Sequence, residues 1–139
     1  MNKDLQETVS VINGLVSQYI ELADKDNVPI HILLQIQDHL TGHSFFLSRH
    51  VSDYRDKSKR SEFTYNSNIV QAEHQYTVDG LKTLTAKTAA KFDNKEKEEQ
   101  AMELENTYKR LKLTLYQTNK VINSITQKIS FLKQESLKS

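Results

Sequence analysis

The 139-residue sequence predicts an all-α protein, an N-terminal helix followed by a long antiparallel helical hairpin with coiled-coil character. Three observations carry this. Stepped by alternating threes and fours, Ala101, Leu104, Tyr108, Leu111, Leu115, Thr118, Ile122, Ile125, Ile129 and Leu132 fill the a and d seats of more than four heptads, and only Thr118 is plainly polar. Only three glycines and one proline interrupt the chain, so turns are few and elements long. A composition of 37% hydrophobic and 27% charged residues suits partly solvated helices better than a thick core. The length fits one domain, residues 1–139. A straight apolar seam must be covered by other helices, and a hairpin of two long arms buries little by itself. The pattern therefore predicts a homo-oligomer in which copies cover the seam Leu104, Tyr108, Leu111, Leu115, Ile122, Ile125, Ile129 and Leu132.

A first helix is predicted over 4–23, where Leu5, Val9, Ile12, Val16, Tyr19 and Ala23 keep the same spacing. Gly14 weakens it by about 1 kcal/mol relative to Ala. Asp24-Lys25-Asp26-Asn27 ends it, within an N-terminal segment 1–28, and Pro29 suits the first turn of a second helix over 29–79. That helix opens apolar and thins after Lys57. Phe63 to Val70 is poor in helix formers, so an irregularity or a short strand is expected there. Thr77-Val78-Asp79-Gly80 is the clearest turn signal. Beyond it, with Thr83 as N-cap, a third element covers 80–139: either a new helix starts at Asp93 or one helix continues through a solvated turn, and a near-continuous helix to about Glu135, bent near Asp93, is the favoured reading. Asp93 with Glu96 reads as a capping pair at the bend.

Composition excludes some functions. With no cysteine there is no disulfide framework, no thiol catalysis and no cysteine-ligated metal. The acids within Met1–Gln18 do not fit a secretory signal, and no apolar run is long enough to span a membrane, so a cytoplasmic protein without membrane contact is expected. The net charge of +1 conceals segregation. Residues 1–48 carry net −4, 49–95 net +3, 96–105 net −4 and 106–139 net +6. Opposite blocks of this kind point to self-association or to a polyanionic partner.

The strongest candidate site is Arg49, Arg55, Lys57, Lys59 and Arg60, with Phe45, Phe46, Tyr54, Phe63 and Tyr65 among and around them. Basic side chains track phosphates and aromatic faces stack unpaired bases, so the pattern fits single-stranded nucleic acid. The plain alternative is a solvated charged face over core aromatics, with Asp53 and Asp56 as local ion-pair partners. Lys82, Lys87, Lys91 and Lys95 share one side of a helix, where Lys87 and Lys91 could guide a phosphate backbone or simply face solvent. His39 and His43 lie one turn apart, but nothing completes a zinc site, and no metal or other cofactor is expected. Thr118 reads as a register-setting polar residue, and Thr41-Gly42 as a close helix-packing point. The acids of Glu96–Glu105 face solvent or a basic partner. No nucleophile elbow, phosphate-cradling glycine loop or HExxH helix is present, so the chain is not expected to be an enzyme.

The order of features resembles the recombination mediator proteins of tailed phages, the UvsY-like family. The chain is small, helical and free of cysteine. A basic, aromatic-studded second helix leads to the turn Tyr76-Thr77-Val78-Asp79-Gly80, and an amphipathic segment from Tyr108-Lys109-Arg110-Leu111 to Ile125-Thr126-Gln127-Lys128-Ile129 closes the pattern. The resemblance covers most of residues 40–135. It implies a ring-forming oligomer that binds single-stranded DNA and helps load a RecA-like recombinase onto DNA covered by single-strand-binding protein. The chain departs from that family at Gln71-Ala72-Glu73-His74-Gln75, which lacks the basic residues expected before the turn. Two rival readings use the same residues. One is a coiled-coil structural or adaptor subunit of a virion or cellular assembly, without nucleic acid. The other is a regulatory binder docking through its 96–105 acids.

Overall fold

Asn2 starts the first helix, its side-chain oxygen accepting the Leu5 N–H at 2.7 Å and satisfying one of the unpaired donors of the first turn. In this computed structural model, which describes residues 1–138, the helices are α1 (Lys3–Ala23), α2 (Ile30–Val78), α3 (Thr83–Asp93) and α4 (Lys95–Lys138). The chain is all-α, as its periodicity predicts. Asp24 caps α1, and the Pro29 carbonyl accepts the Ile32 and Leu33 N–H groups at the entry to α2.

The structure departs from the sequence expectation of helix extent at three places. Phe63–Val70 carries neither a strand nor an irregularity, because α2 runs through it without a break. Tyr65, Asn68, Ile69 and Ala72 are half-buried there at helical spacing, and that packing outweighs weak intrinsic propensity. Thr83 is the first residue of α3 rather than its N-cap; Lys82 takes the cap position without a side-chain bond. The third element is two helices, divided at Asn94 (φ −108°, ψ 15°). Asp93 does not cap the second of them, since its carboxylate accepts the Tyr76 hydroxyl instead. The buried Asn94 holds the junction: its side-chain amide donates to the Ala90 carbonyl at 2.9 Å, and its own carbonyl accepts the Glu98 N–H at 3.0 Å.

Gly80 (φ +96°) closes α2 in the left-handed region. The Gly80 N–H bonds the Thr77 carbonyl and the Leu81 N–H reaches back to Tyr76, the paired bonds of a Schellman motif. The strongest turn signal in the sequence is thus a helix C-cap. Gly42, by contrast, is exposed with open space where a Cβ would sit, so it is not a packing point.

The chain divides into two units, Met1–Val51 with Arg110–Ser139, and Ser52–Lys109. The first is a bundle of α1, the opening half of α2 and the closing part of α4. Leu5, Ile12, Leu33, Leu40, Leu47, Leu111 and Ile125 are fully buried in it. Truncating one such side chain to Ala typically costs about 2–5 kcal/mol. Hydrogen bonds from Gln37 to Thr126 (2.6 Å) and from Ser44 to Asn119 (3.0 Å) fix α2 antiparallel to α4, and Tyr19 joins α1 to Ser124 (2.8 Å). Thr118 is buried, but its hydroxyl bonds the Thr114 carbonyl of its own helix at 2.7 Å. The cross-helix hydrogen bonds of this unit therefore come from Tyr19, Gln37 and Ser44, and the Thr118 hydroxyl contributes none.

The seam points inward as its spacing requires. Leu111, Leu115, Ile122, Ile125, Ile129 and Leu132 are buried or half-buried in the first unit, and Leu104 and Tyr108 half-buried in the second. The chain's own helices cover it, so a second copy is not needed for that purpose. In the second unit α2 and α4 run side by side, α3 packs through Ala86 and Ala90, and Ser58 and Asn94 are also buried. This is a thin core of small and polar groups.

Candidate nucleic-acid interface

Within the second unit, Tyr54, Ser58, Ser61 and Tyr65 recur at three- and four-residue spacing and form the packed side of α2. Between Ser52 and Tyr65 the remaining positions face water, and they hold most of the sequence-predicted cluster. Arg55 pairs with Asp56 at 3.7 Å, both about half exposed, a contact of the kind that contributes little. Among the described residues Asp53 makes no ion pair, contrary to the expectation that it would neutralise the cluster. Lys57 sits 5.1 Å above the Tyr54 ring, so the predicted stacking face of that tyrosine is already occupied by a cation. Lys59 and Arg60 have no carboxylate partner among the described residues.

Phe63, four residues past Lys59 and three past Arg60, is 74% exposed. Helical spacing puts the ring between these two bases. It borders a shallow depression continued by Asn66, Val70 and Gln71. Tyr54 stands inside the basic run, but of the aromatics nearest Lys59 and Arg60 it is Phe63 whose ring is open to solvent. Burial decides between them, and local sequence does not show it.

The antiparallel pairing of α2 with α4 adds a residue that sequence reasoning missed. Lys97 lies across a groove of about 250 Å³ from Arg60, with Ser61, Thr64, Tyr65 and Gln100 completing the walls. In the sequence Lys97 is a lone base inside an acidic run, and only the pairing of distant helices reveals its neighbour. Among the described residues Lys97 also lacks an ion-pair partner. Two cations, two aliphatic hydroxyls and an amide form a donor-rich site suited to a phosphate oxygen.

A second groove of about 200 Å³ has the opposite character, being lined by Glu62, Glu98 and Glu105 with Ser58, Asn66 and Met102. Tyr65 borders both. Partial burial, then the charge and hydrogen bond of Glu98, raise its hydroxyl above the usual 10.0.

The other predicted residues stand apart. Arg49 belongs to the first unit, where Phe45 is exposed and the Phe46 and His50 rings meet at 4.5 Å. Lys87 and Lys91 lie on α3, not on α2 or α4. Among the described residues no group of three or more His, Asp or Glu side chains is placed to hold a metal ion. No described helix is long and apolar enough to cross a membrane. Compared with known proteins, the chain matches no family model, no curated protein and no solved structure.

Proposed function

We propose that this chain binds single-stranded nucleic acid along α2, with Phe63 as the stacking platform and Lys59, Arg60 and Lys97 as the phosphate contacts. The observation that carries the reading is an exposed Phe63 beside two bases that no carboxylate among the described residues neutralises. Stacking on one aromatic is worth about 1–3 kcal/mol per base and is tolerant of sequence. Binding of this kind needs no bond chemistry. The shared order of features with recombination mediators supports a homo-oligomer that helps place a RecA-like recombinase on DNA held by single-strand-binding protein. A cytoplasmic setting follows from that role.

Fluorescence anisotropy of a labelled poly-dT oligonucleotide, at low and at moderate salt, tests this. Wild-type protein is expected to bind, to prefer single strands to duplex and to weaken steeply with salt. Phe63→Ala should cost about tenfold or more in affinity, from the loss of one stacked base. Lys59→Ala with Arg60→Ala should reduce the salt slope by about 1.4, because each phosphate contact on a single strand contributes about 0.7. Flat anisotropy at low salt overturns the reading.

A helical adaptor without nucleic acid is the second reading, favoured by the exposure of Leu84 (78%) and Phe92 (79%) in the second unit. It is the account that flat anisotropy would leave standing.

A further inference from the structure

The seam is covered within the chain, so any contact between copies needs another surface, and the second unit carries two that match. On α3, Leu84, Thr88 and Phe92 fall on the side away from Ala86 and Ala90, and Leu84 and Phe92 are among the most exposed apolar residues of the chain. Lys87 and Lys91, one turn apart, run beside them. On the opening turns of α4, Met102 is 55% exposed, with Glu99 and Glu103 one turn apart beside it. None of these four charges makes an ion pair among the described residues. The first surface is an apolar strip edged by positive charge, and the second is one exposed methionine edged by negative charge.

We infer that α3 of one copy docks on the α4 outer face of a second copy. Lys87 and Lys91 then meet Glu99 and Glu103, with Leu84 and Phe92 against Met102. The match of spacing supports a second copy as the occupant: two lysines four residues apart meet two glutamates four residues apart, about 6 Å in each case at 1.5 Å per residue. Such a contact joins two different surfaces, so it propagates head to tail and closes into a ring where the rotation allows. It deepens the oligomeric part of the proposed function but does not rest on nucleic-acid binding. Lys87 and Lys91 here serve the contact between copies instead of a phosphate backbone.

The test is a charge swap read by sedimentation velocity at low salt. Wild type is expected to self-associate and to dissociate as salt rises. Lys87→Glu with Lys91→Glu, and separately Glu99→Lys with Glu103→Lys, should each weaken self-association by at least about tenfold, because like charges then face one another. An equimolar mixture of the two variants should associate again, since each supplies the sign the other lacks. A monomeric wild type, a variant that still associates, or a mixture that stays monomeric would each overturn the inference. Should a reversal variant lose helicity by circular dichroism, Lys87→Gln with Lys91→Gln and Glu99→Gln with Glu103→Gln replace it, with weakened association again expected. Poly-dT binding measured on the same wild-type preparation keeps failure of this contact distinct from failure of the nucleic-acid reading.

Discussion

At Gly80 the backbone takes φ +96°, a conformation in which a Cβ crowds the following carbonyl. Gly80→Ala is therefore expected to lower stability by about 1 kcal/mol, although nothing lies within 4 Å of the added carbon. Gly14 lies inside α1 with equally open space, and Gly14→Ala should raise stability by up to about 1 kcal/mol. Thermal unfolding of the two variants separates backbone conformation from packing, since neither site is crowded. Tyr76 gives a second residue-level consequence. Its hydrogen bond to Asp93, with lesser contributions from desolvation and from the nearby carboxylate charges, raises its hydroxyl above the usual 10.0. A raised pKa means the folded chain holds this proton more tightly than the unfolded one. The stabilisation is complete below about pH 10 and is lost as pH climbs through the raised value. Tyr76→Phe should thus flatten the alkaline limb of stability against pH, as read by denaturant unfolding from neutral to alkaline buffer. An unchanged limb would assign it to Tyr65, whose hydroxyl is raised as well.

Helices were legible where apolar residues repeat and obscure where packing, not pattern, decides. The α1 and α4 stripes were read directly, because Leu5, Ile12, Leu111 and Ile125 recur at core spacing and are buried. The continuity of α2 through Phe63–Val70 was not, because Tyr65, Asn68, Ile69 and Ala72 acquire their role only against α4. The break at Asn94 was half legible: Asp93 to Gln100 holds no apolar residue, which marks a discontinuity without saying whether the helix bends or ends. The candidate interface divides the same way. Lys59 and Arg60 stand in the basic run of the sequence, whereas Lys97 belongs to the site only because antiparallel α2 and α4 bring positions 60 and 97 to one groove. Phe63 over Tyr54 is likewise a decision made by burial.

The two units of the molecule have unequal cores. The first buries Leu, Ile and Tyr from α1, α2 and α4; the second closes over Ser58, Ala86, Ala90 and Asn94. Apolar burial scales with area, so the second has much less holding it. Amide hydrogen exchange should accordingly show residues 52–109 opening at lower free energy than 1–51 and 110–138, with α3 the least protected. Uniform protection along α2 would contradict this and imply that its two halves open together. The helix pair carrying the candidate interface thus belongs to the unit with the lower expected threshold for opening. The tyrosines make that threshold visible. The chain has six tyrosines and no tryptophan, and Tyr54, Tyr65, Tyr76 and Tyr108 lie in the second unit. The hydroxyl of Tyr76 donates to the Asp93 carboxylate, an arrangement that quenches phenol emission. Intrinsic fluorescence is therefore a built-in optical gauge of the second unit. It should brighten when that bond parts, while circular dichroism still reports the α1-containing bundle as intact.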